Sequence, residues 1–113
     1  MTQPAPTLSP ESQPVMPALW RLLGDLGLAD GHPLRDLLED REAKGLATYG
    51  TTLHTHNGRD ALRDCAEELA DALAYTMQWV LEAGCTGPQR PVWFASLLRL
   101  AGEVAQAAAD AGA

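Results

Sequence analysis

Basic residues are scarce in this chain: eight lysines and arginines stand against fifteen aspartates and glutamates, for a net charge of −7. A surface that grips nucleic acid needs a cationic stripe to displace counterions from the phosphates, so nucleic acid polymers are excluded as partners. Small anions stay within reach if metal ions neutralise the site locally. Cysteine is sparse as well. Cys65 and Cys85 have neither CxxC spacing nor histidines clustered around them, which argues against a zinc site or a disulfide framework. No apolar run approaches the ~18 residues of a membrane span, and the N-terminus lacks the basic-then-apolar order of a secretory signal. A soluble, cytoplasmic protein without a membrane partner is expected. Strand-like alternation is missing too, which leaves helices as the regular structure.

What the chain does have is helical spacing broken by turn residues. From Met1 to Pro14 it is rich in Pro, Ser, Thr and Gln, with too little apolar surface to offset the entropy of ordering. A loose tail over residues 1–14 and a single helical domain over 15–113 are expected. Pro17 suits the first turn of a helix whose apolar face is Leu19, Trp20, Leu22, Leu23 and Leu26. His32-Pro33 opens a second helix, running to about Gly45 or Thr48, with Leu34, Leu37 and Leu38 as its buried stripe. Asn57 is placed as N-cap of the longest helix, which runs to Ala83. Pro91 starts a fourth, with Val92, Trp93, Leu97, Leu98, Leu100 and Val104 as apolar positions. The short connections favour antiparallel neighbours, so the predicted fold is an all-α, four-helix bundle subunit.

Two acidic motifs stand out, Glu39-Asp40-Arg41-Glu42 and Glu68-Leu69-Ala70-Asp71. Each sets two carboxylates three residues apart, about one helical turn, on one side of the rod. At about 100° per residue, Glu42 lies about 90° from the centre of the Leu34, Leu37, Leu38 stripe and Glu39 about 150°. On the third helix, the stripe is Leu62, Cys65, Leu69, Leu73, Thr76 and Val80, and Glu68 and Asp71 fall at the same two angles. Both pairs therefore flank a seam where two packed helices can share ions, and hard oxygen ligands are what Mg²⁺ requires. Asp64 and Glu67 extend the acidic edge as possible further acids. The same pattern equally describes a plain solvated helix face.

The order ExxE, 25 residues, ExxD, with the second element inside Glu67-Glu68-Leu69-Ala70-Asp71-Ala72-Leu73-Ala74-Tyr75, resembles the all-α nucleoside triphosphate pyrophosphohydrolases of the MazG superfamily. Lys44-Gly45, Thr48-Tyr49-Gly50 and Asn57-Gly58-Arg59-Asp60-Ala61-Leu62 resemble its small phage-encoded members. The resemblance covers about residues 34–79. It implies that Glu39, Glu42, Glu68 and Asp71 bind Mg²⁺ or Mn²⁺, with Glu42 and Glu68 central to catalysis. A metal-activated water would then cleave an NTP or dNTP between the α and β phosphates, releasing the monophosphate and pyrophosphate. It also implies a homo-dimer or homo-tetramer. A purine nucleotide, dGTP or GTP, is the expected substrate. For a viral protein, the compartment is the host cytoplasm.

Arg41, Lys44 and Arg59 are the cations nearest the motifs and suit triphosphate oxygens, although they equally suit surface pairs with neighbouring acids. The segment from Tyr49 to Asn57 is long enough to cover a nucleotide, with Tyr49 or His54 to stack on a base and Asn57 as a further contact. His54-Thr55-His56 does not make a metal pair, because the stretch is irregular. The alternative to an enzyme is a noncatalytic helical interaction module, or a degenerate relative, in which the acids only solubilise apolar helices.

Overall fold

A computed structural model describes residues 3–28, 30–85 and 87–112. Four α-helices follow one another: α1 (Met16–Asp25), α2 (Pro33–Tyr49), α3 (Ala61–Ala83) and α4 (Phe94–Ala111), with a short 3₁₀ turn at Gly87–Gln89. Among the described residues the only β-type pairing is an isolated bridge between Pro14 and His54. Among the described residues no helix is long and apolar enough to cross a membrane. The chain divides into two compact units, Met1–Arg59 and Asp60–Ala113.

In the first unit, α1 starts with Pro17 in its first turn and buries Met16 and Leu23. Its end is set by Gly27, whose φ of 81° suits only a residue without a Cβ, and by the Leu28 N–H reaching back to the Leu23 carbonyl at 2.9 Å. α2 begins where His32-Pro33 predicts. The His32 Nδ1 accepts from the Leu34 N–H at 3.1 Å, and Gly50, at φ 73°, closes the other end. The predicted buried stripe is not buried. No residue of α2 is buried, Leu34 is exposed, Leu37 is 63% exposed, and Leu38 is only half-buried. A polar residue ties the two helices instead: the Arg35 guanidinium lies 5.1 Å from the Trp20 ring centroid, donates to the Leu28 carbonyl at 3.1 Å and pairs with Asp30 at 3.1 Å.

Residues 4–15 lie against the stretch 53–59 of the same unit. The Thr7 N–H donates to the Asn57 carbonyl (2.8 Å), Thr55 N–H to Gln13 (2.8 Å) and Val15 N–H to Leu53 (3.0 Å). The Ser9 and Ser12 hydroxyls both donate to the His56 carbonyl, at 3.3 and 3.1 Å. Backbone and hydroxyl groups do the holding here, and a reading of apolar content does not register them.

The second unit is a helical hairpin. α3 packs on α4 through buried Thr76, Val80, Phe94 and Ala101. The Thr76 hydroxyl is satisfied within its own helix, donating to the Ala72 carbonyl at 2.7 Å. Asn57 is not the N-cap of α3, contrary to the sequence expectation. Asp60 is, its Oδ1 accepting from the Arg63 N–H at 3.1 Å, and the helix starts three residues later than predicted for that reason. Gly84 at φ 68° ends α3, with the Cys85 N–H bonded to the Val80 carbonyl. Of the predicted α3 stripe, Thr76 and Val80 are buried and Leu69 and Leu73 half-buried, whereas Leu62 and Cys65 are exposed. α4 starts at Phe94, three residues after Pro91, which supplies the carbonyl for the Phe94 N–H at 3.1 Å. Trp79 and Trp93 stack with centroids 6.2 Å apart and planes 14° from parallel, yet each remains about half exposed (49% and 51%).

Candidate functional site

Both acidic motifs are fully helical. Glu39 and Glu42 sit on α2 of the first unit, Glu39 exposed and Glu42 half-buried; Glu68 and Asp71 sit on α3 of the second, both exposed. None of the four takes part in an ion pair or side-chain hydrogen bond among the described residues. Their neighbours behave differently. Asp40 is paired with Lys44, four residues on, at 3.0 Å, and Glu67 accepts from the Arg63 Nε at 3.0 Å. Lys44 and Arg63 are thus each engaged by an acid one turn away on the same helix, while Glu39, Glu42, Glu68 and Asp71 keep their lone pairs. Asp64 is half-buried and engaged in another interaction.

Two carboxylates one turn apart supply the hard oxygen donors that Mg²⁺ and Mn²⁺ take, so the donor chemistry of each pair fits such an ion. A pair alone is fewer ligands than either ion uses. Among the described residues no three His, Cys, Asp or Glu side chains cluster closely enough to hold a metal.

Of the predicted substrate residues, Lys44 and Tyr49 line one shallow groove of about 450 Å³ along the C-terminal half of α2, together with Arg41, Gly45, Ala47 and Thr48. Tyr49 is exposed there, and Arg41 has no acidic partner among the described residues. Arg59 and Asn57 are placed elsewhere. The Arg59 Nη1 donates to the Pro4 carbonyl at 2.6 Å. Asn57 is only 9% exposed, its Oδ1 accepting from the Arg59 N–H at 3.1 Å and its carbonyl taken by Thr7. His54 and His56 each contact their own loop: the half-buried His54 has Nδ1 2.8 Å from the Thr52 carbonyl, and the exposed His56 has Nδ1 3.1 Å from the Thr55 hydroxyl.

Sequence reasoning missed the N-terminal residues Thr7, Ser9, Ser12 and Gln13 that cover Asn57 and its neighbours. Nothing periodic marks them, because their partners lie more than forty residues away. No family model, curated protein or solved structure matches the chain.

Proposed function

We propose that the chain is a metal-dependent nucleoside triphosphate pyrophosphohydrolase of the small, phage-encoded MazG type. One observation carries the reading. The four motif carboxylates, Glu39, Glu42, Glu68 and Asp71, are left without cationic partners while the acids beside them, Asp40 and Glu67, are neutralised by Lys44 and Arg63. Stacked acids at helical spacing repel by a few tenths of a kcal/mol per pair, an arrangement that a divalent cation relieves.

In this reading Glu39, Glu42, Glu68 and Asp71 would be the residues that hold Mg²⁺ or Mn²⁺, with Asp64 or Glu67 available as a further acid. When bound, such ions supply a water of lowered pKa and neutralise charge on the phosphates. Glu42 and Glu68 would orient the attacking water and take up its proton as its oxygen bonds to the α-phosphorus and the α–β anhydride breaks, releasing pyrophosphate from the nucleoside monophosphate. Lys44 and Arg59 bind phosphate oxygens, and Tyr49 stacks on the base, with Asn57 as a polar contact. The substrate is a (d)NTP of the cytoplasmic pool, with dGTP or GTP first in line.

Assembly belongs to the proposal as well. No residue of α2 is fully buried, and Leu34, Leu37, Trp79 and Trp93 are exposed apolar surface, which favours a homo-dimer or homo-tetramer of four-helix subunits that brings the acids together. The same surface favours a second reading, a noncatalytic interaction module, and the lack of a three-acid cluster among the described residues supports it further.

The deciding experiment is pyrophosphate release from each of the eight common nucleoside triphosphates, with Mg²⁺ and with Mn²⁺, by the wild type and by Glu68→Gln. Pyrophosphate from the wild type alone, at unchanged helical signal, supports the enzyme. Release unaffected by the substitution removes the site, and no release with any nucleotide favours the interaction module.

A further inference from the structure

Two of the residues assigned above to substrate, Asn57 and Arg59, are the ones that the N-terminal segment covers. Residues 4–15 occupy the Arg59 guanidinium through the Pro4 carbonyl, the Asn57 carbonyl through Thr7, and the His56 carbonyl through both Ser9 and Ser12. Almost nothing apolar holds the segment down. Leu8 is exposed, Val15 only half-buried, and the hydroxyl bonds lie at the surface. An exposed hydrogen bond contributes, net, about as much as ordering one residue of backbone costs, so the exposed bonds that hold the segment and the entropy lost in ordering it nearly offset. Its closed state is therefore only marginally favoured, which places it at the low end of local stability.

The loop beneath it carries backbone strain. His56 has φ 49°, a left-handed conformation that a residue with a Cβ adopts at a cost, and the carbonyl receiving both serine hydroxyls is its own.

We propose that residues 4–15 form a displaceable strap that, when closed, withholds Asn57 and Arg59 from the nucleotide, and that opens to let the triphosphate in. This rests on the functional reading above for its substrate, but the opening itself does not.

The Pro14–His54 bridge provides the test. It lies between the Val15–Leu53 and Thr55–Gln13 hydrogen bonds, so it is the closely spaced kind of antiparallel pair, with Cα atoms about 4.5 Å apart, within reach of a disulfide. In a full-length Cys65→Ser/Cys85→Ser background, Pro14→Cys with His54→Cys locks the strap on oxidation. The oxidised form is expected to show a KM for the nucleotide raised about tenfold or more, with kcat far less affected, and reduction to reverse this. Equal KM in both forms overturns the proposal. Hydrogen exchange on the wild type decides the opening independently of any catalysis. The Val15 and Thr55 amides should be protected at least ~100-fold less than that of Val80 in α3, and equal protection overturns the strap. If no nucleotide is cleaved at all, the functional reading fails while the exchange result still stands for or against the strap.

Discussion

Lys44 Nζ lies 3.0 Å from Asp40 Oδ2, one turn back on α2, and leaves Glu39 and Glu42 on either side of Asp40 without a cation. Asp40 is therefore the acid of the first motif that is already neutralised. Glu42→Gln and Glu39→Gln should each lower kcat/KM by about 100-fold or more, since even outer-sphere partners of metal ligands cost about 10–100-fold. Asp40→Asn should lose little. Steady-state pyrophosphate release by the three variants checks this, and an Asp40→Asn defect as deep as that of Glu42→Gln would shift the motif by one residue.

Divalent cations should stabilise the fold through the same carboxylates. At a Mg²⁺ or Mn²⁺ concentration about 100 times the dissociation constant, linkage adds about 2.7 kcal/mol, which calorimetry reads as a rise in Tm reversed by chelator. Glu68→Gln should blunt the rise. A rise of equal size in that variant places the ion elsewhere.

Asp60 caps α3, and Asn57 does not. Asp60→Ala is expected to destabilise the second unit by about 1 kcal/mol, the usual worth of a lost N-cap, read as a shift of the urea midpoint at unchanged slope. Asp60→Asn, which keeps an oxygen for the Arg63 N–H, should recover most of it.

Phe94 is 4% exposed and is the largest of the buried side chains of the second unit. Phe94→Ala removes about 3–5 kcal/mol of packing. In a hairpin whose buried set is Thr76, Val80, Phe94 and Ala101, circular dichroism should show much of the helical signal lost.

If copies assemble as proposed, the stacked, half-exposed Trp79–Trp93 pair would anchor the second copy. Sedimentation velocity is expected to show a dimer or larger species at micromolar concentration, and Trp79→Glu to return it to monomer with the helices intact. A wild type that sediments as a monomer across that range removes the assembly.

Helix positions were largely readable in advance, because the terms that set them act over one turn. Pro17, Pro33 and Pro91 mark or precede starts, and glycines at 27, 50 and 84 carry the positive φ at which α1, α2 and α3 stop. Where two neighbouring signals competed, the reading failed: Asn57 and Asp60 are both good caps, and burial of Asn57 under Thr7 took it out of contention.

Burial was less legible than position. Leu34, Leu37 and Leu38 have the spacing of a core stripe, yet spacing states only that one side of α2 is apolar; whether anything covers that side depends on residues far along the chain. Arg35, a charged residue in the middle of the stripe, became the link to α1 because Trp20 and the Leu28 carbonyl happened to be within its reach.

The amino-acid order alone therefore determined an all-helical chain, its approximate breaks and the i, i+3 spacing of its acids, since each depends on groups within about four residues of one another. Only the tertiary structure decided that residues 4–15 close over Asn57 and Arg59, and that the α3–α4 seam is the one place where the hairpin buries its apolar side. Those contacts join residues as far apart as Ser9 and His56, 47 positions along the chain, and no local preference encodes which distant partner a hydroxyl or a carbonyl will meet.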